Sequence, residues 1–171
     1  MTREKFIKVL ESRNYSYKIE GDKLVVTVAN ENSIGLSRLT SIPPNIIFKN
    51  RGDIYLKGLK KLPTGVEFYN GSSVYLDNLK TLPPDVIFEN GWDINLNNLT
   101  TIPSGIVFRN TGNVFLYNLE SISRGVVFKN SGSTRLNSLI GGWLYGWSGN
   151  IKEVNNKRLF NLMISKGVFE R

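Results

Sequence analysis

DIYLKGLKKLPTGVEFYNGS, residues 53–72, is one turn of a pattern that governs most of this chain. Residues 73–92 read SVYLDNLKTLPPDVIFENGW, and the same spacing covers residues 33–132 as five copies of a 20-residue unit, followed by a truncated sixth. The phase never slips. Phe48, Phe68, Phe88, Phe108 and Phe128 fall 20 apart, as do Asn50, Asn70, Asn90, Asn110 and Asn130. Leucine fills two further series, one starting at Leu36 and one at Leu39, each in steps of 20. A fixed period of this length marks a solenoid, in which each coil buries its apolar face only against its neighbours.

The alternation of side chains along a strand gives each residue of the unit a direction. Ile54 and Leu56 point inward around an outward Tyr55, and Val66 and Phe68 point inward around an outward Glu67. Two strands per unit are expected. The second leucine and the series Leu62, Leu82, Ile102 fill the bend between them. Pro43, Pro63, Pro83 and Pro103 follow that bend, where no ladder hydrogen bond needs a donor, and Ser123 breaks this series. The asparagines stand where the chain leaves the second strand; their amides are expected to satisfy turn backbone groups and to bond one another up the stack. Gly52, Gly112 and Gly132 are expected to close the turn with φ values that other residues avoid, although Ser72 and Trp92 occupy the same slot. Coils rising by about 4.8 Å, the interstrand distance, make the repeat block roughly 25 Å long. The expected architecture is mainly β, a right-handed β-solenoid with 20-residue coils.

The flanks read as caps on this solenoid, within a single domain divided as 1–32, 33–140 and 141–171. Residues 2–13 suit an amphipathic helix, with Thr2 as its N-cap, a stripe of Phe6, Val9 and Leu10, and a stop at Asn14. Tyr15, Tyr17 and Ile19 alternate with Ser16 and Lys18, Gly21-Asp22 supplies a two-residue turn, and residues 24–28 return as the second arm of a hairpin. A helix and a hairpin would shield the apolar end of the first coil. After Leu139 the repeat halts at Gly141-Gly142. Trp143, Tyr145 and Trp147 follow among glycines, and residues 157–166 suit a helix stopped by Gly167, which completes a C-terminal helical cap.

The run LDNLKTLPPDV, residues 76–86, resembles the bacterial-type leucine-rich repeat, LxxLxxLPxxL, and the likeness covers residues 33–139. The unit departs from that pattern by ending V-x-F-x-N-x-G, which leaves two coil types open, a leucine-rich-repeat-like one and a two-sheet β-helix. The resemblance implies a solenoid whose exposed strand face binds protein; that broad class includes secreted bacterial effectors that bind host proteins. The chain is also similar to short repeat proteins carried by phages and bacteria. What this implies is a small phage or bacterial inhibitor or adaptor acting on a host protein. No functional residue carries over, since the shared positions are core positions.

Absences narrow the chemistry. The sequence contains no histidine and no cysteine, which removes the Ser-His-Asp triad, thiol catalysis and the usual zinc ligands. No phosphate-binding glycine motif opens a helix. Asp53 and Asp93 share one repeat position two coils apart, roughly 10 Å by the interstrand distance, which is slightly wide for an inverting glycosidase pair. Acids at a turn ordinarily cap local backbone groups. The chain therefore reads as no enzyme, with no cofactor and no metal site. A net charge of +8 favours acidic partners, whether nucleic acid or an acidic protein surface. No apolar run reaches the length of a membrane span and no signal-peptide core follows Met1, so a soluble, cytoplasmic protein is expected.

Three outward columns remain for function. Tyr55, Tyr75, Asn95, Phe115 and Arg135 share one strand position and form the expected partner-binding face, since Tyr and Arg dominate interface hot spots; cross-strand stacking explains the same residues without function. Lys57, Lys60, Lys61 and Lys80 gather on neighbouring coils, and Lys49, Arg109 and Lys129 share another column. These cations, with the basic C-terminal segment, support the alternative of a nucleic-acid binder contacting phosphates, although Glu67 and Glu89 interrupt them and a solvated face is the plainer account. Ile47, Ile87, Val107 and Val127 alternate outward beside the phenylalanines, an apolar column through which two copies could pair.

Overall fold

The computed structural model describes residues 1–28, 32–123, 125–136, 141–142 and 150–154, the last two stretches by their backbone. The chain opens with helix α1 (Arg3–Glu11), whose N-cap Thr2 accepts a hydrogen bond from Lys5 N. Asn14 ends that turn at φ 55°. Strands β1 (Ser16–Glu20) and β2 (Lys23–Thr27) form an antiparallel hairpin across Gly21-Asp22, with Gly21 at φ 63°. From there pairing between coils is parallel. The first coil supplies β3 (Ile34–Gly35) and β4 (Ile46–Phe48), the second β5 (Ile54–Tyr55) and β6 (Glu67–Phe68), and the third β7 (Val74–Tyr75) and β8 (Ile87–Phe88). The fourth coil carries β9 (Ile94–Asn95), β10 (Thr101–Ile102) and β11 (Val107–Phe108). The fifth carries β12 (Val114–Leu116), β13 (Ser121–Ile122) and β14 (Val127–Phe128); β15 (Ser133–Leu136), β16 (Gly141–Gly142) and β17 (Asn150–Val154) come after.

These strands make two long sheets. The tyrosine sheet has the order β17-β15-β12-β9-β7-β5-β3, and the phenylalanine sheet the order β1-β2-β4-β6-β8-β11-β14. Register is in steps of 20 throughout the repeats, with Phe48 opposite Phe68, Phe68 opposite Phe88, and Tyr55 opposite Tyr75. The result is a mainly β solenoid with 20-residue coils. A third, three-stranded sheet of β10, β13 and β16 lines the bend of the later coils, where two strands per unit were expected. Thr101-Ile102 and Ser121-Ile122 stand there in place of Lys61-Leu62 and Thr81-Leu82, but Ser41-Ile42 at the first coil forms no strand, so isoleucine alone does not account for the third sheet. Strand pairing also outlasts the sequence repeat, since β16 pairs with β13 and β17 with β15.

The core is one continuous cluster. All five phenylalanines of the repeat are 0% exposed, and their rings stack coil on coil with centroids 4.8–5.4 Å apart. Leu36, Leu56, Leu76, Leu96, Leu116 and Leu136 are buried, as are Leu59, Leu79, Leu99 and Leu119, while Leu39 at the first coil is only partly covered. Ile42, Leu62, Leu82, Ile102 and Ile122 fill the bend as expected. Phe6 and Leu10 of α1 join the same cluster, and β2 pairs in parallel with β4, so helix and hairpin close the N-terminal end. The edge strand β3 is closed from the side as well. Gly35 N donates to the Tyr15 hydroxyl at 2.8 Å, and Arg13 donates to Gly35 O at 2.6 Å. The expected helix over 157–166 and the aromatic run from Trp143 to Trp147 lie outside the described residues. Among the described residues no helix is long and apolar enough to cross a membrane.

Two expectations about the turns are corrected. The asparagine amides do not bond to one another. Each of Asn70, Asn90 and Asn110 aims its Nδ2 at three backbone carbonyls, two just after it in the chain and one of the coil before, as with Asn90 to Trp92 O at 3.0 Å, Asp93 O at 3.3 Å and Ser72 O at 3.1 Å. Three converging carbonyls attract the amide's donor end, so its oxygen turns away from them. Gly52, Gly112 and Gly132 do not have positive φ; the left-handed corner lies elsewhere, at Asn45, Gly65, Gly105 and Gly125, with φ between 58° and 84°. Glycine at 112 and 132 serves clearance instead. A Cβ on Gly112 would come within 2.7 Å of Trp92 C, and one on Gly132 within 2.5 Å of Gly112 C.

Candidate functional site

The outer face of the tyrosine sheet collects one residue per coil at a single register position. Tyr55, Tyr75, Asn95, Phe115 and Arg135 are Cα partners in succession, and each is half-buried between inward neighbours that are fully covered. The five predicted face residues therefore do form one column. The Tyr55 and Tyr75 rings stack with centroids 4.7 Å apart and planes 9° from parallel. The Lys57 ammonium sits 4.9 Å from the centre of the Tyr75 ring and 5.9 Å from that of Tyr55, and it pairs with Asp77 at 3.7 Å. At the other end the Arg135 guanidinium lies 5.4 Å from the Phe115 ring, which meets Tyr117 edge-on at 5.8 Å. Rings held between a cation and a neighbouring ring are pre-set rather than free to rotate.

A polar ladder runs alongside this column and meets it at Tyr55. Residues 33, 53, 73, 93, 113 and 133 are Ser, Asp, Ser, Asp, Asn and Ser. Each side-chain oxygen accepts the backbone N–H of the same position one coil on: Asp53 N to Ser33 Oγ, Ser73 N to Asp53 Oδ1, Asp93 N to Ser73 Oγ, Asn113 N to Asp93 Oδ1 and Ser133 N to Asn113 Oδ1, at 2.6–3.3 Å. Asp53 and Asp93 thus cap backbone groups. Asp53 also accepts from Ser72 Oγ at 2.6 Å and from the Tyr55 hydroxyl at 2.8 Å. Burial pushes the Asp53 carboxyl up, but the hydrogen bonds from Ser72, Tyr55 and Ser73 outweigh it and hold the group below the usual aspartate value. In return the hydrogen bond to Asp53, then burial, pushes Tyr55 up to about 12. The repeating short acceptor is visible in the sequence, although only its two aspartates stand out there as candidates for chemistry.

The predicted phosphate-contacting cations are not one patch. Lys57 belongs to the tyrosine face through its ring and ion-pair contacts. Lys60, Lys61 and Lys80 are exposed on the bend that leaves the tyrosine sheet, whereas Arg109 and Lys129 are exposed on the turn that leaves the phenylalanine sheet. Ile47, Ile87, Val107 and Val127 do face outward on the phenylalanine sheet, half-buried, with Glu67 between the first two tied to Lys23 at 2.8 Å. Trp92 is a further feature that sequence reasoning set aside as a tolerated side chain. It is 62% exposed, the most of any large apolar residue among those described.

Comparison with known protein families, with curated proteins and with solved structures finds no match for this chain. Among the described residues no group of three or more carboxylates is placed to hold a metal ion.

Proposed function

We propose that this solenoid is a non-catalytic, leucine-rich-repeat-like scaffold that binds a protein partner through Tyr55, Tyr75, Asn95, Phe115 and Arg135. The observation that carries the reading is the stacked, half-exposed aromatic column with a cation over a ring at each end. Tyrosine, aromatic and arginine anchors dominate binding energy at protein interfaces. Here Tyr55 is tied to the ladder at Asp53 and stacked on Tyr75, and Phe115 is flanked by Arg135 and Tyr117, so less side-chain entropy remains to be lost on association. The net charge of +8 suits a partner with an acidic surface. A rigid face of this kind fits an inhibitor or adaptor of phage or bacterial origin acting on a host protein.

The test is retention of partners from a native lysate by immobilised full-length chain, set against the double variant Tyr75→Ala/Phe115→Ala. A protein held by the native chain and lost from the variant, with both chains melting alike, supports the reading. Equal retention by both, or recovery of nucleic acid alone, contradicts it.

A further inference from the structure

The turn that leaves the phenylalanine sheet forms a rim along the solenoid, and its side chains differ from those of either face. Its outer column is Lys49, Tyr69, Glu89, Arg109 and Lys129, held in step by hydrogen bonds of 2.8–2.9 Å from residues 69, 89, 109 and 129 to the phenylalanine carbonyls of the coil before. The adjoining columns are Arg51, Gly71, Gly91, Thr111, Ser131 and Gly52, Ser72, Trp92, Gly112, Gly132. Arg51 and Trp92 are the only large side chains in these two columns. Two hollows of about 640 and 580 Å³ open around them. The first runs from Arg51 to Trp92 over Gly71 and Ser72; the second holds Lys49 and Tyr69; Arg51 and Gly71 line both, so the hollows adjoin. Their floor is fixed by coil spacing, because a Cβ on Gly71 would lie 2.8 Å from Arg51 O and one on Gly91 would strike Gly71 O.

We infer that this rim binds single-stranded nucleic acid. The geometry alternates what such a ligand needs: cations at Lys49 and Arg51, ring surfaces at Tyr69 and Trp92, and cations again at Arg109 and Lys129. The exposed Trp92 indole and the half-buried Tyr69 phenol offer stacking platforms for unpaired bases, and the flanking cations neutralise the phosphates between them. A duplex hides the base faces that Trp92 would stack on, so the single strand is the form that fits. Glu89 is the one carboxylate in the outer column, and Asp53, already held by Ser72 and Tyr55, is the one that lines the first hollow. The first hollow reaches Asp53, which accepts from the Tyr55 hydroxyl, so the rim borders the polar edge of the tyrosine face; Lys60 and Lys80 lie across the coil.

The experiment follows the anisotropy of a labelled dT decamer, and of its rU counterpart, on titration with the full chain at low and moderate salt. Binding should weaken steeply as salt rises. Trp92→Ala should weaken it about tenfold, as loss of one stacking platform does. Lys49→Ala/Arg109→Ala should reduce the salt slope, and Lys60→Ala/Lys80→Ala should leave both affinity and slope unchanged. The five substituted side chains, at 49, 60, 80, 92 and 109, are all exposed, so a common melting temperature verifies the fold. No binding at low salt overturns the inference. So does a Trp92→Ala variant that binds like the native chain, a Lys60→Ala/Lys80→Ala loss as large as that of the rim pair, or equal displacement by polyglutamate whether or not Trp92 is present.

Discussion

Two columns of side chains at 20-residue spacing climb this solenoid, one inside and one outside, and they follow different rules. The inner column is phenylalanine at all five positions, fully buried, ring on ring. The outer column changes at nearly every coil, from Tyr55 and Tyr75 to Asn95, Phe115 and Arg135, and stays half-exposed. Identity inside follows from packing. A stacked core has one slot shape per coil, and a smaller ring would leave a void that its neighbours above and below both feel. Outside, the strand asks only for a side chain that tolerates extended backbone, and so the composition there is free to answer to a partner.

The sharpest way to break this contrast is at the middle of the inner column. Phe88→Ala should cost about 3 to 5 kcal/mol in denaturant unfolding, as large-to-small core changes do; a loss below about 1 kcal/mol would mean the inner and outer columns are alike. Next in size is Asn90→Ala, which strips one donor group from three carbonyls. It should cost about 1 to 3 kcal/mol, the usual penalty for buried acceptors left unpaired, read by the same unfolding midpoint.

The outer column should instead respond to pH and to partner. Tyr55 has its folded value pushed up to about 12, above the ordinary tyrosine value of about 10. The folded chain thus holds that proton more tightly than the unfolded chain. Its contribution is whole below pH about 10 and is lost as pH rises through about 12. Asp53 runs the other way: its folded value is lowered, so its contribution is present above the ordinary aspartate value of about 4 and is lost as pH falls through the folded value. Stability curves for native chain and Tyr55→Phe should therefore differ in shape between pH 9 and 12 (roughly the span set by those two values), with the alkaline fall reduced in the variant. Tyr75→Ala should cost only about 1 kcal/mol, the scale of an exposed ring pair, while removing partner binding.

The smallest expected change tests a finer contrast within the core. Thr134 is buried where other coils carry Ile or Val, and its hydroxyl lies 3.3 Å from Asn130 Oδ1, whereas Asn110 Oδ1 is buried without a donor among the described residues. Val114→Thr would place a hydroxyl at the equivalent point beneath Asn110. Its stability should lie within about 0.5 kcal/mol of native, while Val86→Thr, at a position with no such acceptor, should lose about 1 to 2 kcal/mol.

The sequence made the coil, its period and the inward side of each strand legible, because period-2 alternation and a 20-residue repeat constrain each other. It also placed Tyr55, Tyr75, Asn95, Phe115 and Arg135 in one column. What it hid were lateral relations between columns. That Asn90 reaches a carbonyl 18 residues back, not the asparagine 20 back, depends on how far each coil is offset at the turn. That Gly112 and Gly132 are needed for clearance and not for backbone conformation depends on the distance to the coil below. The notch between Arg51 and Trp92 likewise exists because Gly71 follows Arg51 in one column and Ser72 precedes Trp92 in the next, which a list of repeats does not display.

Because the chain lacks cysteine, the stacking itself can be probed with paired cysteines on the tyrosine face and a short bifunctional thiol reagent. Asn95 and Phe115 are neighbours in register, about 5 Å apart, whereas Tyr75 and Phe115 are separated by two coils, roughly 10 Å. Asn95→Cys/Phe115→Cys should cross-link within one chain in high yield, and Tyr75→Cys/Phe115→Cys should not under a reagent that spans only one coil. Equal yields from both pairs, or no cross-link from the adjacent pair in a folded chain, would contradict the stacked coil on which both columns depend.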